Sequence, residues 1–253
     1  MTEREGGNDD HQWPQPAEGN DEAAQEQQVI DAVLAAAIGS ATLTVAARRP
    51  EKLDAAAQQL RDKGYDVQHI AGNLGDEGVI AQVVEEHRQR FGRLDVLVNN
   101  AGVGIGGAVD DYPTKKLDTQ IAVNFRAIVL FYRECSAMLR AAGKEHNNAL
   151  VVNTASIAGK QGQGWLSVYS ATKAAVVGFT EAMNKELGNA GIKSCALCPA
   201  FVDTAMTDFV KEHVGAENMI QPSDISETVR ALLHLSPSCV IPEILYTRPG
   251  AEL

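Results

Sequence analysis

The sequence predicts an α/β protein: a single domain in which one doubly wound parallel sheet lies between two layers of helices, with its first strand not recognisable. Three observations predict it. Short apolar runs of strand type alternate with helical segments of roughly 12 to 25 residues, the pattern of βαβ units. The 253-residue chain is 45% hydrophobic and 22% charged, ordinary for a globular protein, which excludes disordered, collagenous and disulfide-scaffold classes for the chain as a whole. No apolar run reaches the roughly 18 residues of a membrane span, and Met1 to Gly7 is acidic where a leader would be basic, so a cytoplasmic protein is expected.

Residues 1–28 read as an acidic disordered tail and residues 29–253 as the folded domain. Eight acids face the lone Arg4 in the tail, which carries −7 of the net −11 and leaves −4 for the body. Nothing clusters Lys and Arg as phosphate or anionic lipid would require, so neither nucleic acid nor membrane is expected as a partner. A helix is expected from about Asp21 to Ile38, with Val29, Ile30, Val33 and Leu34 as its stripe and Gly39 at its end.

Thr42 to Ala47 then reads as a strand, and Pro50 opens a helix from Glu51 to Lys63. Val67 to Ala71 is a strand, and Asp76 caps a helix that runs to about Arg90. Leu94 to Val98 is a strand before a glycine-rich loop, helical segments fill Pro113 to Ala142, and Ala149 to Asn153 is a strand. A helix from Val168 to Gly188, a strand from Ile192 to Cys198, a partly helical loop to Gly215, a helix from Ser223 to Leu235 and a strand from Cys239 to Tyr246 complete the alternation. Ligands of such sheets bind beyond the carboxyl ends of the strands, where the winding reverses.

Two local patterns are set aside. Cys195 and Cys198 spell C-x-x-C within an apolar strand, where positions three apart point to opposite faces, so packing explains them better than redox chemistry. Gly102 to Gly107 fits G-x-G-x-x-G, but Asp110, Asp111 and Pro113 intervene before any helix, so it does not form a phosphate-binding turn. The histidines form no ligand spacing, and no metal is expected.

The chemistry gathers around Tyr169-Ser170-Ala171-Thr172-Lys173, which puts a phenol and an ammonium on one face at a helix start. An unperturbed phenol titrates near pH 10, so proton exchange near pH 7 needs a downward shift of about 3 units, or about 4 kcal/mol. A partly desolvated ammonium beside a cationic cofactor supplies energy of that order. Ser156 follows the strand ending at Asn153, at the same rim, where its hydroxyl can donate to the carbonyl oxygen that Tyr169 protonates.

These residues, with Asn99-Asn100-Ala101-Gly102, Asn124 and Cys198-Pro199-Ala200-Phe201-Val202-Asp203-Thr204, resemble the short-chain dehydrogenase/reductase family over residues 29–253. The resemblance implies a Rossmann-type fold and an oxidoreductase that moves hydride between NADP(H) and a small carbonyl or alcohol substrate. It implies that Tyr169 is the general acid/base, Ser156 orients the carbonyl, Lys173 lowers the Tyr169 pKa and holds the nicotinamide ribose, and Asn124 supports a water relay. It further implies cofactor contacts from Arg48, Asn73, Leu74, Asn100, Ala101, Gly102, Pro199, Val202 and Thr204. Arg48 follows the strand ending at Ala47 where an acid would bind a ribose 2′-hydroxyl, which favours NADP over NAD; the alternative is that Arg48 and Arg49 are solvated charges at a helix entrance. Ala200 replaces the glycine usual after Pro199. The family also implies a homodimer or homotetramer through the helices Asp118 to Arg140 and Val168 to Gly188.

One family feature has no counterpart in the sequence. The usual first strand and its T-G-x-x-x-G-x-G loop, which cradle the pyrophosphate, are not found before the Asp21 to Ile38 helix. That strand would lie between the strands ending at Ala47 and Val98. Losing about five buried apolar side chains would cost about 10 kcal/mol, comparable with a domain's whole stability. Either the flanking strands pair directly, another chain donates the strand, or the reading frame is a damaged or mispredicted version of a longer gene; the abrupt change of composition near residue 28 favours the last. The alternative function is then a noncatalytic module or truncated product that binds no dinucleotide.

Overall fold

The computed structural model describes residues 42–250; the helix expected from Asp21 to Ile38, the acidic tail and the missing glycine loop all lie outside the described residues. Two parallel sheets form the centre of the molecule. In the first, β1 (Thr42–Ala47) pairs with β2 (Asp66–Ala71) in register Thr42 to Asp66 through Ala47 to Ala71. The second has the order β3 (Val96–Asn99), β4 (Ala149–Thr154), β5 (Ile192–Pro199), β6 (Glu243–Tyr246). The helices are α1 (Pro50–Asp62), α2 (Glu77–Phe91), α3 (Thr114–Ile121), α4 (Ala127–His146), α5 (Ser167–Leu187), α6 (Asp208–Val214) and α7 (Pro222–His234).

Strand alternation decides which helix packs where. Ala149, Val151, Ala196 and Cys198 point into a core with Ile128, Tyr132, Met138 and Leu139 of α4 and Val176 of α5. Their neighbours Leu150, Val152, Cys195 and Leu197 point the other way, against Val229 and Leu232 of α7. The sheet is thus covered on both faces, and Cys195 and Cys198 fall into different cores as free, buried thiols.

Several boundaries move. β6 begins at Glu243, not Cys239, because the Cys239 N–H is spent in a turn onto the Ser236 carbonyl and the ladder starts where the Ala196 N–H reaches the Pro242 carbonyl. β3 begins at Val96 rather than Leu94. α4 runs to His146, four residues past Ala142, and ends on Asn147 in a left-handed conformation (φ 55°). The helical stretch before it is not uniform: a π turn, Ala122–Arg126, separates α3 from α4. The strands expected to flank the missing one do not pair with each other; β1 and β3 belong to different sheets, which removes direct pairing as an explanation.

Candidate active site

Because all the ladders are parallel, β3, β4 and β5 end at one rim, and the polar residues that follow them converge there. Ser156 lies just beyond β4 and caps a short 3-10 turn, Ile157–Gly159, by accepting the Ala158 N–H at 3.2 Å. That turn lies directly on α5. A Cβ at Gly159 would stand 2.7 Å from the Lys173 carbonyl carbon, so only glycine brings Ser156 this close to the helix that carries Tyr169 and Lys173. Ser156 stands near enough to Tyr169 to act on the titration of its phenol.

Lys173 is 2% exposed, and its ammonium donates to the Thr154 carbonyl at 2.7 Å while lying 5.7 Å from the centre of the Tyr169 ring. Burial pushes its pKa down to about 8, with the nearby Cys198 acting in the opposite direction. The Tyr169 phenol moves up from its usual value of 10, because burial outweighs the opposing effect of nearby Ser156. Without a nucleotide, desolvation dominates at both residues and favours their neutral forms.

Asn124 sits on the π turn, and such one-turn bulges redirect a single side chain. Its amide is fully enclosed: Oδ1 accepts the Val103 N–H at 2.7 Å, and Nδ2 donates to the Val103 carbonyl at 2.9 Å and to Thr172 Oγ1 at 3.1 Å. Thr172 in turn donates to the Tyr169 carbonyl at 2.7 Å. Asn124 thereby ties the loop after β3 to the helix that carries the phenol. Both amide protons are committed within the protein.

The other expected contacts divide between the two sheets. Asn100 accepts the Thr154 hydroxyl proton at 2.7 Å, and a Cβ at Gly102 would press on the Lys173 ammonium at 3.3 Å. Ala101 lies between them on the same loop. Pro199 ends β5, Val202 bridges to Ile220, and Thr204 is buried at the start of the segment containing α6. Arg48, exposed after β1, and Asn73 and Leu74, after β2, belong to the other sheet. The Asn73 Oδ1 accepts the Gly75 N–H at 3.0 Å. The buried Lys173 ammonium at the rim and the guanidinium at the end of β1 are groups that would suit the two ends of a phosphorylated dinucleotide.

Sequence reasoning misses how the loop after β3 is held. Trp165 adopts φ 65°, a strained value for a side chain of this size, and its carbonyl accepts the Gly107 N–H at 2.8 Å. Its ring lies against Gly106, where a Cβ would meet it at 1.8 Å. Gln120 and Tyr112 clamp the same loop through Ile105: the Ile105 N–H donates to Gln120 at 3.0 Å and the Tyr112 hydroxyl to the Ile105 carbonyl at 2.8 Å. The glycines of this loop are thus sites of ring contact, which a motif search for phosphate cradles would misassign. As the sequence anticipates, no helix begins between this loop and Thr114.

Comparison with known proteins gives the family and the fold. A family model described as short chain dehydrogenase matches residues 31–215. A protein of Streptomyces violaceoruber assigned as putative ketoacyl reductase 1 of the granaticin polyketide synthase is 37% identical over 179 residues, 70% of this chain and 64% of that protein. The chain therefore spans just under two thirds of that relative's length. The BbsD subunit of the (2S)-[(R)-hydroxy(phenyl)methyl]succinyl-CoA dehydrogenase of Thauera aromatica is 30% identical over 211 residues, 80% of this chain and 83% of that one. Among solved structures, an actinorhodin polyketide ketoreductase with NADPH shares 30% identity at a TM-score of 0.71, covering 80% of this chain and 84% of the other. An alcohol dehydrogenase from Thermococcus sibiricus shares the fold at a TM-score of 0.76 and 22% identity, over 89% of this chain and 92% of that one.

Proposed function

Since the chain belongs to the short-chain dehydrogenase family, we propose that it is an NADP(H)-dependent carbonyl reductase in which Tyr169 is the general acid/base. The observation that carries this reading is the convergence of Ser156, Tyr169 and Lys173 at one strand rim, with the Lys173 ammonium buried 5.7 Å from the phenol ring. A ketone within an acyl chain is the substrate class favoured by the granaticin and actinorhodin relatives, and a homodimer or homotetramer is the expected assembly.

Lys173, Asn100, Ala101, Gly102, Pro199, Val202 and Thr204 would hold the nicotinamide end of the nucleotide, and Arg48, Asn73 and Leu74 the adenine end. The bound nucleotide supplies the hydride. Ser156 donates a hydrogen bond to the substrate oxygen, and Tyr169 gives that oxygen its proton as negative charge develops there. The raised pKa of Tyr169 keeps the phenol protonated for this step. The Lys173 ammonium stabilises the phenolate that remains, and a Lys173 titrating near pH 8 is poised to hold or release a proton beside it. Asn124 fixes the distance between the loop and the phenol through Val103 and Thr172.

The test is NADPH oxidation followed with a panel of simple ketones and β-keto thioesters. Tyr169→Phe should lower kcat by about 100- to 10,000-fold while the circular-dichroism melt stays in place. Equal rates in the two proteins would remove Tyr169 from the chemistry. The absence of T-G-x-x-x-G-x-G from the sequence favours a second reading, a module that keeps these residues without binding dinucleotide. A cooperative melt unchanged by millimolar NADPH would select it.

A further inference from the structure

The proposed reaction leaves one half-buried carboxylate unused. Glu243 opens β6, and its register with Ala196 of β5 turns it to the face of Ala196 and Cys198, while Ile244 and Tyr246 pack on the opposite face against the α7 core. A glutamate is an uncommon choice for a strand. Its side chain is 22% exposed, and each oxygen has its own partner: Oε2 accepts from the Lys160 ammonium at 3.0 Å and Oε1 from the Cys198 thiol at 3.6 Å.

Both partners lead to Ser156. Lys160 closes the short turn that Ser156 opens, in which the Gly159 N–H donates to the Ser156 carbonyl at 2.9 Å and the Lys160 N–H to the Ile157 carbonyl at 2.8 Å. Those bonds fix the shape of the turn, whereas its place over the rim depends on contacts outside it. Gly159 supplies one by lying on the Lys173 backbone of α5. The Glu243 carboxylate supplies another, tying Lys160 to β6 and to Cys198 at the end of β5. Cys198 is fully buried and stands near enough to Lys160 and to the Ser156 backbone for both to act on its thiol. Burial and the adjacent Glu243 push that thiol up to about 12, which suits a packed contact and not a reactive group. Glu181 of α5 also feels the Lys160 charge, but its own carboxylate is held by Lys185 at 2.7 Å.

We propose that Glu243 is a positioning residue for carbonyl reduction: through Lys160 and Cys198 it holds the turn that carries Ser156 in place against the helix that carries Tyr169. The proposal rests on the reductase reading and extends the working group to the last strand in the sheet order. A serine that orients a carbonyl loses its effect when displaced by about 1 Å, so a clamp on its turn is felt in the chemical step more than in nucleotide binding.

Glu243→Gln keeps an acceptor for the Cys198 thiol and removes the charge that holds Lys160, and Lys160→Met removes the other half of the pair. The full chain, both single variants and the double variant are assayed for ketone reduction by NADPH and for amide hydrogen exchange across residues 156–161. Each single variant should show kcat lowered by about 5- to 20-fold with the KM for NADPH within about twofold of the wild type, and the double variant should be no slower than the slower single one. The amides of Ala158 to Gln161 should exchange at least about tenfold faster in Glu243→Gln under conditions where both proteins are fully folded by their melts. Unchanged kcat, single effects that multiply in the double variant, or unchanged exchange across the turn would each overturn the proposal. If the wild type reduces no ketone, faster exchange in Glu243→Gln would uphold the clamp and remove the reductase reading, whereas unchanged exchange would overturn the clamp on its own.

Discussion

Lys173→Met removes the buried charge while keeping a flexible chain of similar length, and the structure fixes how its effect depends on pH. The folded Lys173 titrates near 8 against a normal value of 10.5, a difference worth about 3 kcal/mol. Between those two values the unfolded chain holds the proton more tightly than the folded one. Stability from this group is therefore fully present above about pH 10.5 and is lost as pH falls toward 8, below which the loss is constant. Because the side chain is 2% exposed, solvent screening does not dilute the effect. The variant also loses the bond to the Thr154 carbonyl, a cost of about 1 kcal/mol. Net, Lys173→Met should be more stable than the wild type by about 2 kcal/mol at pH 7 and less stable by about 1 kcal/mol near pH 10.5, with reductase activity lost throughout. Urea unfolding of both proteins at several pH values between 7 and 10.5 measures this, and using the difference cancels the ionisation of Cys135, Cys195 and Cys198, whose thiols burial raises to about 12. A difference between the two proteins that does not change with pH would refute the argument.

Two further substitutions probe the site from either end. Arg48→Glu should lower kcat/KM for NADPH by about 10- to 100-fold and narrow the gap to NADH, the loss of a charge-assisted contact being worth about 1.5–3 kcal/mol; an unchanged NADPH to NADH ratio would remove Arg48 from the choice of nucleotide. Asn124→Ala leaves the Val103 N–H and C=O without their partners inside the protein, a destabilisation of about 1–3 kcal/mol for each buried group; the melt should fall and kcat with it, and a drop in activity at an unchanged melting temperature would count against the clamp and for a direct part in proton transfer.

The fold is legible in the sequence where one physical signal dominates. Thr42 to Ala47 is readable to the residue because a short, β-branched apolar run between a glycine-led segment and a Pro50 helix start fits little else. The candidate site is legible because Ser156, Tyr169 and Lys173 combine residue type, order and spacing. What the sequence withholds depends on tertiary contact. Burial dominates the pKa values of Tyr169 and Lys173 in the absence of a nucleotide, and its extent follows from tertiary packing that no local pattern reports. The π turn under Asn124 carries no periodicity of its own, since its neighbours continue the 3.6-residue pattern. The contact between Trp165 and Gly106 joins residues far apart in the chain, and a positive φ at tryptophan runs against its local preference. The final strand is over-extended in sequence because Val240 and Ile241 read as strand, whereas Pro242 has no N–H to donate and Cys239 is bound in a turn.

The central claim is that this rim places a phenol beside a bound nicotinamide, and calorimetric titration of the folded wild-type protein with NADPH and NADH tests it most directly. Saturable one-to-one uptake of NADPH, tighter than that of NADH and retained in Tyr169→Phe, is the predicted result. A protein that melts cooperatively yet takes up neither nucleotide at millimolar concentration would contradict it.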